Sequence, residues 1–155
     1  TQSRSSAASD VYKRQDNDSP LLIANSDQFV DWNSGEFIYS MQDNDVDGGI
    51  LTFESIHPKW SFAKLDDNGF VCEVAEKKPI SNKATAGIYY WAKGSDYVKY
   101  ANKMILKDKR VNNEFYVCPV FNEAIEDKKK IKTFDVEKMW GLGTPEDLEV
   151  FLNES

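Results

Sequence analysis

Three groups of residues in this chain are of types and spacings that do chemistry. Asp27 ends the stretch Pro20-Leu21-Leu22-Ile23-Ala24-Asn25-Ser26-Asp27-Gln28, an apolar run that stops abruptly at polar residues. A short continuous apolar run is the pattern of a strand buried on both faces. In open α/β sheets ligands sit just beyond the carboxyl ends of such strands. A carboxylate there is placed to hold a divalent cation that carries phosphates. The same residues also suit a plain strand end and turn, because Asn, Ser and Asp side chains bond nearby backbone. The second group, Asp43-x-Asp45-x-Asp47-Gly48, has the opening of a calcium loop. The closing ligand of such a loop would be Glu54, which falls inside an apparent strand, so a solvated turn fits better. The third is the single histidine, His57, in Ile56-His57-Pro58-Lys59-Trp60. It reads as an exposed loop residue; with no second histidine and no cysteine nearby it makes no zinc site.

The elements that must position these groups belong to one domain. A chain of 155 residues is long enough to bury a real core. Apolar residues make up 41% of it, with no run long enough to span a membrane. A net charge of −7 argues against general nucleic-acid binding. Cys72 and Cys118 show no Cys-x-x-Cys spacing and follow no secretory signal, which points to two reduced structural thiols in a cytoplasmic protein. Thr1 to Gln15 (TQSRSSAASDVYKRQ) lacks both an amphipathic period and the apolar core of a signal peptide. It resembles translated sequencing-adapter sequence and reads as a non-native or disordered leader, residues 1–15, outside the fold.

From residue 16 onward strands alternate with helices. Pro20–Ala24 is the first strand. Asn33 or Ser34 caps a helix with Phe37, Ile38 and Met41 on one face. Ile50–Phe53 is a strand, and residues 62–74 form a hairpin around Asp66-Asp67-Asn68-Gly69. Thr85–Trp91 is another strand. Ser95 caps a helix with Tyr97, Ala101, Met104 and Ile105 on one side. Pro119 opens a further helix, and Ile131–Val136 is a strand. Thr144-Pro145-Glu146-Asp147 starts the last helix, whose inner face is expected to be Leu148, Phe151 and Leu152. The tryptophans and the pair Tyr89 and Tyr90 are expected in core and sheet packing. This alternation with one hairpin specifies a mixed α/β sheet.

Three segments carry a family resemblance: PLLIANSDQ (20–28), EVAEKKPISNKATAGIYYW (73–91) and WGLGTPEDL (140–148). In order and spacing they resemble the later part of a sugar-phosphate nucleotidyltransferase domain. This is the family of glucose-1-phosphate thymidylyltransferase, and the segments most resemble its bacterial capsule and surface-polysaccharide branch. The resemblance covers residues 17–153. It implies an α/β, Rossmann-like, glycosyltransferase-A type fold with a mixed sheet flanked by helices. Residues 16–155 would be the C-terminal portion of that domain, lacking its N-terminal strands. It also implies the reaction: a nucleoside monophosphate passes from an NTP to a sugar 1-phosphate or similar phosphate, and pyrophosphate leaves. Mg²⁺ neutralises charge and the protein positions the reactants. The implied partners are the NTP and the sugar phosphate, with no nucleic acid and no membrane.

The resemblance assigns residues as well. Asp27 matches the metal-binding aspartate, and Asn25 beside it joins the substrate-binding set. In Glu76-Lys77-Lys78-Pro79, alignment on the proline makes Lys78 the lysine that meets the sugar phosphate; alignment on Glu76-Lys77 makes it Lys77 and leaves Glu76 for the sugar. Gly87, in Ala86-Gly87-Ile88-Tyr89, matches a glycine that lets backbone approach the sugar, and would otherwise mark a β-bulge. Glu114 matches a position near the sugar hydroxyls. The chain departs from the pattern twice. Gly141 stands where many relatives have a second metal-binding aspartate. No Gly-rich, triphosphate-wrapping loop is present, so the chain by itself is expected to be inactive, with Pro20–Ala24 left as an apolar sheet edge. Two alternatives stay open: a glycosyltransferase of the same fold class, against which Asp43-x-Asp45 stands after a helix rather than a strand, and a non-catalytic binding relic.

Overall fold

The computed structural model describes residues 15–154; the expected leader, Gln15 excepted, lies outside them. The axis of the fold is strand β6 (Lys83–Trp91), rich in β-branched and aromatic residues and buried from Ala84 to its end. Along one side it pairs antiparallel with β3 (Gly48–Glu54), itself buried up to Phe53. On its other side it pairs with two strands, both antiparallel. β4 (Ser61–Leu65) meets its first half and β1 (Leu21–Ala24) its second half. β4 turns back into β5 (Val71–Glu76) through the Asp66–Gly69 turn. There Gly69 is left-handed and Asp66 Oδ1 accepts the backbone N–H groups of Asn68 and Phe70. β7 (Ile131–Asp135) pairs parallel to β3. The strand order is β5-β4-β6-β3-β7, with β1 added on β6, a mixed sheet as expected.

Helices cover both faces. On one, α2 (Gly94–Leu106) and α3 (Val120–Glu126) bury Tyr97, Tyr100, Ala101, Met104, Val120, Phe121 and Ala124 against the sheet. Trp91 stacks flat on Phe121 there, with centroids 4.3 Å apart. On the other, α1 (Ser34–Asp43), capped by Asn33, buries Phe37 and Met41. Beside this second face a two-stranded ribbon, β2 (Gln28–Val30) with β8 (Met139–Gly141), carries the last helix α4 (Pro145–Glu154). Thr144 caps α4, its Oγ1 accepting the Asp147 backbone N–H at 3.1 Å.

Four expectations need correction. β1 is not buried on both faces: Leu21 is buried, and Leu22, which points to the opposite face, is 40% exposed. Lys93, not Ser95, occupies the cap position of α2; Ser95 lies within the first turn, where its hydroxyl donates to Asp18. Ile105 points outward at 40% exposure, since the face fixed by Tyr97, Ala101 and Met104 excludes it. On α4 neither Leu148 nor Leu152 is inside; only Phe151 packs, against Phe29 and Trp140.

Candidate functional site

The first and last of the three motif segments meet at the ribbon. Gln28 pairs with Gly141, and the Leu142 backbone N–H donates to the Asp27 carbonyl at 2.8 Å. The short strands β2 and β8 create this junction, and sequence reading missed both, since three residues show no periodicity. Asp27 lies three residues past β1, directly before β2, and is exposed. A side chain at Gly143 would begin 3.1 Å from Asp27 Oδ2, so the glycine leaves room around the carboxylate. At Gly141 a Cβ would stand 3.1 Å from the Trp60 ring and 3.4 Å from Asp147 Oδ2. A carboxylate is therefore present beside Gly141 after all, supplied from the first turn of α4. Sequence reading used Asp147 only as a helix-start signal. It pairs with Lys59 at 2.8 Å, and that ammonium holds its carboxyl below the usual aspartate range.

Hard carboxylate oxygens flanking Gly141-Leu142-Gly143 suit Mg²⁺. Among the described residues no three acidic, histidine or cysteine side chains gather as a full ligand cage. Mg²⁺ binds through one or two carboxylates and takes its remaining ligands from phosphates and water. The residues present fit that ion, with the clearance at Gly143 opening onto Asp27.

The middle segment meets the first at Gly87. The pairing of β3 with β6 shifts register between Ile50 and Thr52, which places a bulge at Gly87. Gly87 has φ +68, a left-handed conformation open to glycine. A Cβ there would stand 2.5 Å from Asn25 Nδ2 and overlap the Gln28 carboxamide oxygen. The Gly87 carbonyl accepts the Asn25 backbone N–H at 2.9 Å. The structure thus has the bulge at Gly87, with the Asn25 and Gln28 side chains packed against the glycine.

The charged end of β5 divides its residues. Glu76 turns inward and accepts a hydrogen bond from the Ser61 hydroxyl. Buried Tyr89 and Cys118 lie within its field: burial first, and then this negative charge, push the Cys118 thiol up, and burial chiefly raises the Tyr89 phenol, which shares a hydrogen bond with Thr85 at 3.0 Å. Lys77 is left-handed at φ 55 and spends its ammonium on Tyr116, donating to the hydroxyl at 3.1 Å. Lys78 is exposed, and neither a hydrogen bond nor an ion pair ties it to a described residue. Glu114 closes a tight turn in which Asn112 and Asn113 are left-handed and Val111 and Glu114 exchange backbone hydrogen bonds at 3.0 Å. That turn lies two residues before Tyr116, on the Lys77 side of the rim; Glu114 has no side-chain contact with Asp27 or Glu76.

The remaining chemistry-bearing residues stay apart. His57 is exposed, its Nδ1 accepting the Lys59 backbone N–H. In the acidic loop Asp47 accepts the Lys130 backbone N–H, and Glu54 sits in β3 away from a loop ligand position. Cys118 is buried, Cys72 is exposed on β5, and both are free. No described helix is long and apolar enough to cross a membrane.

No protein-family model and no curated protein matches the chain. Solved structures do. The fold is similar to that of a nucleoside-diphosphate-sugar pyrophosphorylase from Vibrio cholerae RC9, with 23% identity and a TM-score of 0.73 over 87% of this chain and 56% of that one. It is also similar to a protein from Bacillus anthracis described as a glucose-1-phosphate thymidylyltransferase, solved with sucrose, with 15% identity and a TM-score of 0.68 over 93% and 56%. The shared property is the sugar-nucleotidyltransferase-like α/β fold, and the chain spans just over half the length of each.

Proposed function

We propose that this chain is the acceptor and metal side of a sugar-phosphate nucleotidyltransferase, which joins a nucleoside monophosphate to a sugar 1-phosphate and releases pyrophosphate. The observation that carries the reading is the junction itself: three motif segments far apart in sequence converge on Asp27, Gly87 and Gly141–Gly143 in a fold shared with such enzymes. Asp27 would hold Mg²⁺, whose chemistry there is neutralisation of the negative charge that gathers on the phosphates. The protein's own part is positioning. Lys78, with no hydrogen bond or ion pair to a described residue, is the lysine for the sugar phosphate; Lys77 is already committed to Tyr116. Glu76, Asn25, Glu114 and the Gly87 backbone would orient the sugar, so that its phosphate oxygen faces the α-phosphorus of the NTP. The setting proposed is precursor synthesis for surface polysaccharide, in the cytoplasm.

Calorimetric titration of glucose 1-phosphate into the chain, with and without Mg²⁺, tests the reading. Binding is expected, weakened about tenfold by Lys78→Ala, which removes a charge-assisted hydrogen bond, and less by Lys77→Ala. A chain that binds no member of a sugar 1-phosphate panel would overturn it. Pyrophosphate release from NTPs is expected only from a longer protein that also carries a triphosphate-wrapping loop, and none from this chain alone.

A further inference from the structure

The far end of the ribbon carries a cavity of its own. β2 runs between Asp27 and Asp31, about 13 Å of extended chain, so the residues just past it stand well away from the Asp27 carboxylate. There Asp31, Trp32 and Asn33, leading into α1, and Glu137 and Lys138, leading into β8, line an open cavity of about 530 Å³ that Trp140 completes. That size suits a small organic ligand.

Two indoles border the cavity, each held in place by phenylalanine. Trp32 packs on Phe37 with centroids 5.7 Å apart, and Trp140 packs on Phe29 and Phe151 at 5.7 and 5.9 Å. The Asp31 and Glu137 carboxylates are exposed, and among the described residues neither is tied by a hydrogen bond or an ion pair. Lys138 does not compensate them. Its ammonium pairs with Glu154, whose carboxylate also accepts the Trp140 indole N–H at 3.3 Å. The same ammonium lies over the Trp140 ring, 4.8 Å from the centroid, so this indole already receives a cation.

Two uncompensated carboxylates repel an anion and gain little from a neutral guest. A bare Mg²⁺ would use their oxygens and leave the indole surfaces idle. A guest with an ammonium at each end and methylenes between them uses both kinds of wall. Each ammonium answers one carboxylate through a charge-assisted hydrogen bond, and the methylenes cover the indoles, with cation–π attraction where a charged end meets a ring.

We propose that this cavity binds a linear aliphatic diamine or polyamine, one ammonium at Asp31 and another at Glu137, with the alkyl chain against Trp32 and Trp140. The site is separate from the acceptor and metal side, and it does not depend on the nucleotidyltransferase reading.

Calorimetric titration of putrescine, cadaverine and spermidine into the chain tests the proposal, with indole fluorescence as a second readout. At least one of them is expected to bind and to shift the indole emission. Butylamine, with one ammonium, should bind about tenfold more weakly, and 1,4-butanediol, with none, should not bind. Asp31→Asn and Glu137→Gln change exposed residues and are expected to melt as wild type does. Each should weaken the amine about fivefold, and the double variant should lose the preference for two ammonium groups over one. Neither Mg²⁺ at matched ionic strength nor glucose 1-phosphate should displace the amine. Unchanged binding by the double variant overturns the proposal, as does equal binding of 1,4-butanediol. Displacement by Mg²⁺ overturns it in favour of a general cation site, and displacement by glucose 1-phosphate in favour of the acceptor side. A wild-type chain that binds none of the three amines overturns it and leaves the nucleotidyltransferase reading standing.

Discussion

The two faces of the sheet are built differently. Under α2 and α3 the packing is aromatic and closed: Trp91, Tyr97, Tyr100 and Phe121 interlock with essentially no exposure. Even the charge there is tied down. Glu123 is fully buried, yet Lys107 and Lys109 both reach it, and both also pair with Glu126. The ribbon side is open. Helix α4 buries none of its residues fully, Phe29 and Leu148 stay near half-exposed, and glycines stand beside Asp27 and the Asn25 and Gln28 carboxamides. The difference teaches where stability and chemistry reside. The closed face anchors β6, and β6 presents Gly87 to the open side. Loosely packed small residues there leave the room that the proposed site requires.

Changes on the two sides should therefore separate stability from binding. Trp91→Ala, on the closed face, is expected to cost about 3–5 kcal/mol of unfolding free energy in denaturant titration. A cost below about 1 kcal/mol would break the contrast. Asp27→Asn, on the open side, should leave unfolding within about 0.5 kcal/mol of wild type. In a longer protein with the triphosphate-binding half it should lower Mg²⁺-dependent turnover on the order of a hundredfold. A near wild-type rate would remove Asp27 from the site. Gly87→Ala links the faces: its left-handed backbone should cost about 1–2 kcal/mol in stability, with glucose 1-phosphate affinity falling as Asn25 and Gln28 are displaced.

Acid should act on the closed face as well. Burial pushes the Glu123 carboxyl up, but Lys107 and Lys109 outweigh it and leave it below the usual glutamate range; the same two lysines lower Glu126. A depressed folded value means the contribution is whole above the unfolded value of about 4.3 and is lost as pH falls through the lower folded one. The unfolding midpoint should therefore drop below about pH 4, and Glu123→Gln should flatten that part of the profile. The smallest effect is expected at Lys59→Met. Its exposed pair with Asp147 should be worth under about 1 kcal/mol in thermal unfolding.

What could be read in advance followed strength of pattern. The Asn68-Gly69 turn, the apolar run of β6 and the Thr144-Pro145 helix start each carry a local signal, and each stands where the pattern put it. The three-residue strands of the ribbon carry none, because their pairing is decided by a partner more than a hundred residues away. The exposure of Leu148 and Leu152 was hidden for the same reason: an apolar helical stripe does not say whether anything covers it. At the site, Asp27 and Gly87 were legible from residue type and motif. Asp147 and Gln28 were not. A carboxylate in a first helical turn and a glutamine in a short strand are ordinary until their neighbours are known.

The chain's own sequence determined the mixed α/β class and its main strands and helices, because periodicity and turn residues act locally, and its motif resemblance supplied a short list of candidate site residues. Only the tertiary structure decided which of those groups meet. Long-range pairing brings Asp27 beside Gly143, Asp147 beside Gly141 and Gln28 beside Gly87, and no local preference of the chain encodes distances between segments that far apart.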